Sequence, residues 1–150
     1  FTEEPPMLTQ WLMSPGDGSI TEAQKDDLPA EFPRVHPELD GKKHRYGYCL
    51  GTGSMVKPDF GRFVKYDFVK DSREVYELPA HEFGAEPVFI PATNATSEDE
   101  GYLISFVYDQ STNGSSVQIL NAQQITEGPI AKVMLPQRVP YGFHGSWVPA

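Results

Sequence analysis

Glu86-Pro87-Val88-Phe89-Ile90-Pro91 reads as a short, proline-bounded apolar strand with a carboxylate at its head, and Glu31-Phe32-Pro33-Arg34 repeats the construction earlier in the chain. A third stretch, Tyr141-Gly142-Phe143-His144-Gly145-Ser146-Trp147, puts an imidazole in the corresponding place. The intervals are nearly equal, 55 residues from Glu31 to Glu86 and 58 from Glu86 to His144. A polar side chain that returns at the head of each unit of a repeating β pattern is what a ring of blades needs in order to aim several groups at one axis.

The strands between these heads support that reading. Arg62 to Val69 alternates, with Val64, Tyr66 and Phe68 on one face and Lys65 and Asp67 on the other, the period-2 signature of a strand. Glu31 to Val35, Arg45 to Gly51, Arg62 to Val69 and Arg73 to Leu78 make one four-stranded cycle. Pro87 to Pro91, Gly101 to Tyr108, Ser116 to Leu120 and Ile130 to Leu135 make a second. Each cycle ends in Leu-Pro, at Leu78-Pro79 and Leu135-Pro136, and a third opens at Pro140.

Met7 to Met13 is expected to be the tail of a preceding blade, followed by a polar loop from Ser14 to Leu28 with a helical turn over Thr21 to Asp27. No stretch sustains a helical period, so the fold class is all-β. The expected architecture is a partial β-propeller of about two whole four-stranded blades plus parts of two others. An immunoglobulin-like sandwich gives the same strand count, but it supplies no reason for polar residues to recur at strand heads.

Composition narrows the function classes. A chain of 150 residues with 39% hydrophobic and 12% aromatic side chains can build a core. A net charge of −9 with only 12 Lys and Arg provides no basic stripe for a phosphate backbone, which argues against nucleic acid and against anionic membrane surfaces. The single cysteine, Cys49, lies in an apolar run and reads as a small core residue. The absence of a disulfide framework suits a reducing, cytoplasmic compartment. No apolar run approaches the roughly 20 residues that cross a bilayer, which leaves membrane association to regions outside this stretch. The first residue is Phe1 and the last residues read as a strand in progress, so the chain is expected to be an internal piece of a longer protein.

Of the four histidines, His36 and His44 flank a charged loop and His81 lies in a polar connection, whereas His144 sits among Tyr141, Phe143 and Trp147. An imidazole in such surroundings needs a partner. Glu31 and Glu86 adjoin proline and large apolar residues and raise the same demand. A carboxylate that accepts the N–H of a metal-bound imidazole fixes its tautomer and raises its basicity, which is a specific task for glutamates that share an axis with a histidine.

Taken together, Glu31-Phe32-Pro33-Arg34, Glu86-Pro87-Val88-Phe89-Ile90-Pro91 and Tyr141-Gly142-Phe143-His144-Gly145 resemble the C-terminal third of the carotenoid cleavage oxygenases, the group that includes apocarotenoid oxygenases, lignostilbene dioxygenases and the retinal pigment epithelium isomerase. The resemblance covers almost the whole chain and makes residues 1–150 the C-terminal part of a single propeller domain. It implies a seven-bladed propeller that holds non-haem Fe(II) on its axis by four histidines with three glutamates behind them. His144 would then be the last iron ligand, and Glu31 and Glu86 two of the supporting carboxylates; the remaining ligands would precede Phe1.

The implied reaction is cleavage of a conjugated C=C bond of a carotenoid or apocarotenoid by O2, giving two carbonyl products. A stilbenoid-cleaving dioxygenase and a non-catalytic propeller scaffold are the alternatives. An apolar substrate would need an apolar tunnel, for which Phe89, Phe143 and Trp147 are available, although core packing is the default role of such residues.

Overall fold

A computed structural model of the chain describes residues 5–53, 59–142 and 144–148. Among the described residues ten strands form two antiparallel sheets. The first sheet runs in the order β1 (Met7–Met13), β2 (Ile20–Arg34), β3 (Tyr46–Gly51), β4 (Arg62–Asp67) and β5 (Ser72–Glu77). The second is built on β8 (Gly101–Asp109), which pairs with β9 (Gly114–Asn121), and β9 with β10 (Pro129–Met134). On its other edge β8 pairs with two short strands in succession, β6 (Glu82–Gly84) and β7 (Val88–Pro91).

Both four-stranded cycles expected from the alternation are present. Three local expectations are corrected. The helical turn over Thr21 to Asp27 is strand: these residues belong to β2, whose first half pairs with β1 from Met13↔Ile20 to Thr9↔Gln24. The fifteen-residue β2 continues into the first cycle, where Ala30 and Glu31 pair with Gly51 and Leu50. β1 and β3 thus pair with different halves of β2, and the polar loop shrinks to the turn between Met13 and Ile20, closed by Ser14 N–H to Ser19 O at 2.9 Å. Third, the described residues after Pro140 form no strand; several of them line a cavity against the second sheet.

The core lies between the sheets. Tyr48, Leu50 and Phe63 of the first sheet, with Leu78 just after β5, meet Phe89, Leu103, Val107 and Leu120 of the second, and Tyr48 stacks on Phe89 with centroids 5.1 Å apart and planes 5° from parallel. Such a ring pair adds about 0.5–1.5 kcal/mol to the burial of its area. The sheets approach closely at Gly84, where a Cβ would lie 2.9 Å from the Phe63 ring. The opposite face of the first sheet buries Ala30, Cys49, Val64 and Tyr66 beneath Leu8, Leu28, Phe68 and Val75. The expected face of Val64, Tyr66 and Phe68 is thus a core face, and Cys49 is a core residue whose thiol burial pushes up to about 12.

Lys65, on the alternate face, is buried between the sheets. Its ammonium reaches Asp99 Oδ2 at 2.7 Å and lies 4.6 Å from the centre of the Tyr46 ring. Glu98 accepts the backbone N–H groups of Arg45 and Tyr46 at 2.7–3.0 Å. Buried charge is tolerated only when paired, so the loop between β7 and β8 is latched onto the first sheet.

Candidate functional site

Both glutamates stand at irregularities of strand pairing. In the second sheet Gly84 pairs with Val107 and Val88 with Ile104, so Ala85, Glu86 and Pro87 face only Ser105 and Phe106. The extra residue is a bulge, which turns a side chain out of the strand's alternation. Ser105 satisfies the displaced backbone: its hydroxyl donates to Ala85 O at 2.8 Å and accepts from Ala85 N–H at 3.2 Å. In the first sheet the register shifts between Glu31 and Arg34, and Phe32 takes φ 55°. Phenylalanine rarely adopts that left-handed conformation; here the surrounding sheet holds it.

The two bulges point different groups at one place. Glu86 has a side chain only 4% exposed, and both of its oxygens are occupied. Arg34 of β2 donates Nε to Oε1 at 2.8 Å and Nη2 to Oε2 at 2.9 Å. The Gly145 N–H donates to Oε2 at 2.7 Å, and His144 Nδ1 lies 3.3 Å from Oε1. Arg34 Nη2 also donates to Gly145 O at 2.6 Å. Burial, the largest single influence, pushes the Glu86 carboxyl upward, but Arg34, the Gly145 N–H and His144 together outweigh it and hold it below its ordinary 4.5. Glu86 is a carboxylate, an acceptor only, so Nδ1 of His144 is the donor of that contact.

His144 itself is 74% exposed. With Nδ1 committed to Glu86, Nε2 carries the free lone pair, the form in which imidazole binds a metal ion. Phe32 packs edge-on against the ring, centroids 5.4 Å apart. Among the described residues no group of three or more His, Cys, Asp or Glu side chains could hold a metal. A metal at Nε2 would therefore draw its other donors from elsewhere.

Of the three residues singled out from the sequence, the structure brings Glu86 and His144 into contact. Glu31 is half-buried, opposite Leu50 in the ladder, with no side-chain hydrogen bond among the described residues; its neighbour Phe32 makes the contact with His144 instead. The other histidines lie apart from this cluster. His36 Nδ1 accepts the Glu38 N–H at 3.2 Å as the cap of a turn of 3-10 helix (Pro37–Leu39), His44 contacts Lys42 O and Phe68, and His81 lies 3.8 Å from Asp109.

Arg34 was not singled out from the sequence as a site residue. It stands in a quoted motif, but its partner is 52 positions away and no local pattern announces the pairing. Phe89 belongs to the core, and Phe143 lies outside the described residues. Trp147 lines a cavity of about 290 Å³ together with Val88, Ile90, Ile104, Phe106 and Val117; Glu86 and His144 are on its wall.

Comparison with known proteins bears on these observations. A family model described as retinal pigment epithelial membrane protein matches residues 1–149. The chain is 38% identical over 145 residues to the carotenoid 9,10(9',10')-cleavage dioxygenase 1 of Pisum sativum, covering 87% of this chain and 27% of that protein. It is 34% identical over 149 residues to the carotenoid cleavage oxygenase of Mycobacterium tuberculosis, covering 96% and 29%. The solved structure of cobalt-substituted Synechocystis apocarotenoid oxygenase superposes with a TM-score of 0.92 at 28% identity, over 99% of this chain and 31% of that one. The chain thus spans less than a third of the length of these relatives.

Proposed function

The chain belongs to the family of the retinal pigment epithelial membrane protein and the carotenoid cleavage oxygenases, its two sheets being part of a β-propeller, and on that premise we propose that the full-length protein is a non-haem Fe(II)-dependent dioxygenase that cleaves a conjugated C=C bond of a carotenoid or apocarotenoid. The observation that carries the proposal is the contact of His144 Nδ1 with the buried, ionised Glu86, which leaves an exposed imidazole with one nitrogen oriented and the other free. Imidazole suits iron as a ligand, and a carboxylate on the far nitrogen is the usual way to fix its tautomer. The residues present therefore fit a share of a multi-histidine iron centre.

In this reading His144 holds the iron through Nε2. Glu86 keeps the Nδ1 proton in place and raises the basicity of the ring. Glu31 does the same for an imidazole supplied by the remainder of the protein. Iron held there would supply the redox chemistry that activates dioxygen toward the double bond. The apolar cavity beside His144 supports a hydrocarbon substrate, since Val88, Ile90, Ile104 and Phe106 can bury a polyene but offer it no hydrogen bond.

The test is made on the full-length protein. Wild type should carry stoichiometric iron and consume O2 with a conjugated polyene, and His144→Ala should lose both. Iron and O2 uptake unchanged in His144→Ala would overturn the assignment.

A further inference from the structure

We infer that Arg34 is a positioning residue of the His144 site, acting through Glu86; the inference rests on the reading of His144 as an iron ligand. The terminal torsion of a glutamate is broad and weakly staggered, so a carboxylate has no intrinsic reason to present one lone pair in one direction. Arg34 removes that freedom. Its Nε and Nη2 meet Oε1 and Oε2 as a two-pronged fork at 2.8 and 2.9 Å, a geometry that fixes the plane of the carboxylate. The oxygen that receives Nε is the one that accepts His144 Nδ1, so the orientation imposed by the fork is passed directly to the imidazole.

A second connection makes the arrangement rigid. Arg34 Nη2 donates to Gly145 O while Gly145 N–H donates to Glu86 Oε2. One guanidinium from the first sheet thus binds a bulge of the second sheet and the segment that carries His144. The guanidinium also supplies the charge that lets a carboxylate with so little exposure remain ionised. Arg34 reaches this position because the register shift after Glu31, with Phe32 at positive φ, sets it opposite Tyr48 and out of the regular alternation. Lysine, a point charge on a flexible stem, can neutralise Glu86 but cannot fix its plane.

The experiment uses full-length protein in five forms: wild type, Arg34→Met, Glu86→Gln, Arg34→Met/Glu86→Gln and, as the conservative variant, Arg34→Lys. Two quantities are read, the rate of iron loss to a chelator and the hydrogen exchange of the segment around Gly145 in iron-free protein. Loss of an outer partner of a metal ligand weakens metal binding by about 10–100-fold, so Arg34→Met should speed iron loss by about 10-fold. Arg34→Lys should recover only part of that. On the Glu86→Gln background Arg34→Met should add less than about 2-fold, because neighbours acting through one another are not additive. Exchange around Gly145 should rise in Arg34→Met without iron.

Unchanged iron loss in Arg34→Met, or an undiminished effect on the Glu86→Gln background, would overturn the role of Arg34. Wild-type protein that binds no iron would overturn the metal reading instead, and Gly145 exchange would still decide whether Arg34 holds Glu86 and its neighbour in place.

Discussion

Glu31 and Glu86 each stand at an irregularity of strand pairing, one in each sheet, yet they occupy different environments. Glu86 sits in a bulge with both oxygens tied to Arg34, the Gly145 N–H and His144. Glu31 sits half-exposed at the start of a register shift, and the residue that follows it, Phe32, contacts the imidazole. The bulge in the first sheet sends forward its aromatic ring and its arginine; the bulge in the second sends forward its carboxylate. Equal spacing in sequence therefore signals equal places in the fold, while the role at each place depends on what the neighbouring unit supplies.

The contrast is sharpest for metal binding. His144→Ala should abolish iron retention and O2 uptake of the full-length protein, while its folding stability changes by only about 0.5 kcal/mol, because the side chain is mostly exposed. Metal analysis and denaturant unfolding of the same sample check both halves. Glu86→Gln should lower activity by about 10–100-fold without eliminating it, and equal losses from the histidine and glutamate variants would contradict the division between ligand and support.

Stability separates the two glutamates next. Glu86→Gln leaves Arg34 and the Gly145 N–H facing a neutral amide, and should cost the iron-free protein about 2–3 kcal/mol. Glu31→Gln should cost about 1 kcal/mol or less. Comparable losses in urea titrations would show that Glu31 is as firmly bound as its counterpart.

The acid limb gives a smaller effect of defined sign. Glu86 is held below its ordinary 4.5 in the folded chain, so the stability it contributes is complete above that value and is lost as pH falls through the lower folded value. In Glu86→Gln the stability curve should be flatter below about pH 4.5. An acid limb identical to wild type would show that Glu86 is not the group titrating there.

Much of this architecture is legible from local pattern. Val64, Tyr66 and Phe68 do share a buried face, and the strands of both cycles lie where the alternation puts them. The first half of β2 is not legible: Ala23, Gln24 and Lys25 are good helix formers, exposed in the hairpin, so no hydrophobic period marks them and the partner strand β1 decides their conformation. β6 is three residues long and gives no period at all. In the site, Glu86 and His144 stand out because each is a polar group in apolar surroundings. Arg34 does not, since an arginine at a strand end is ordinary until the strand it faces is known. Long-range pairing, with the fork and its carboxylate 52 positions apart, is where reading by local pattern stops.

The most direct test of the account is anomalous diffraction at the iron edge from crystals of the full-length protein. The account predicts an iron peak bonded to Nε2 of His144, with Nδ1 of the same ring on Glu86 and Arg34 forked to that carboxylate. An iron peak away from His144, or an imidazole that has left Glu86 to face the metal through Nδ1, would contradict it.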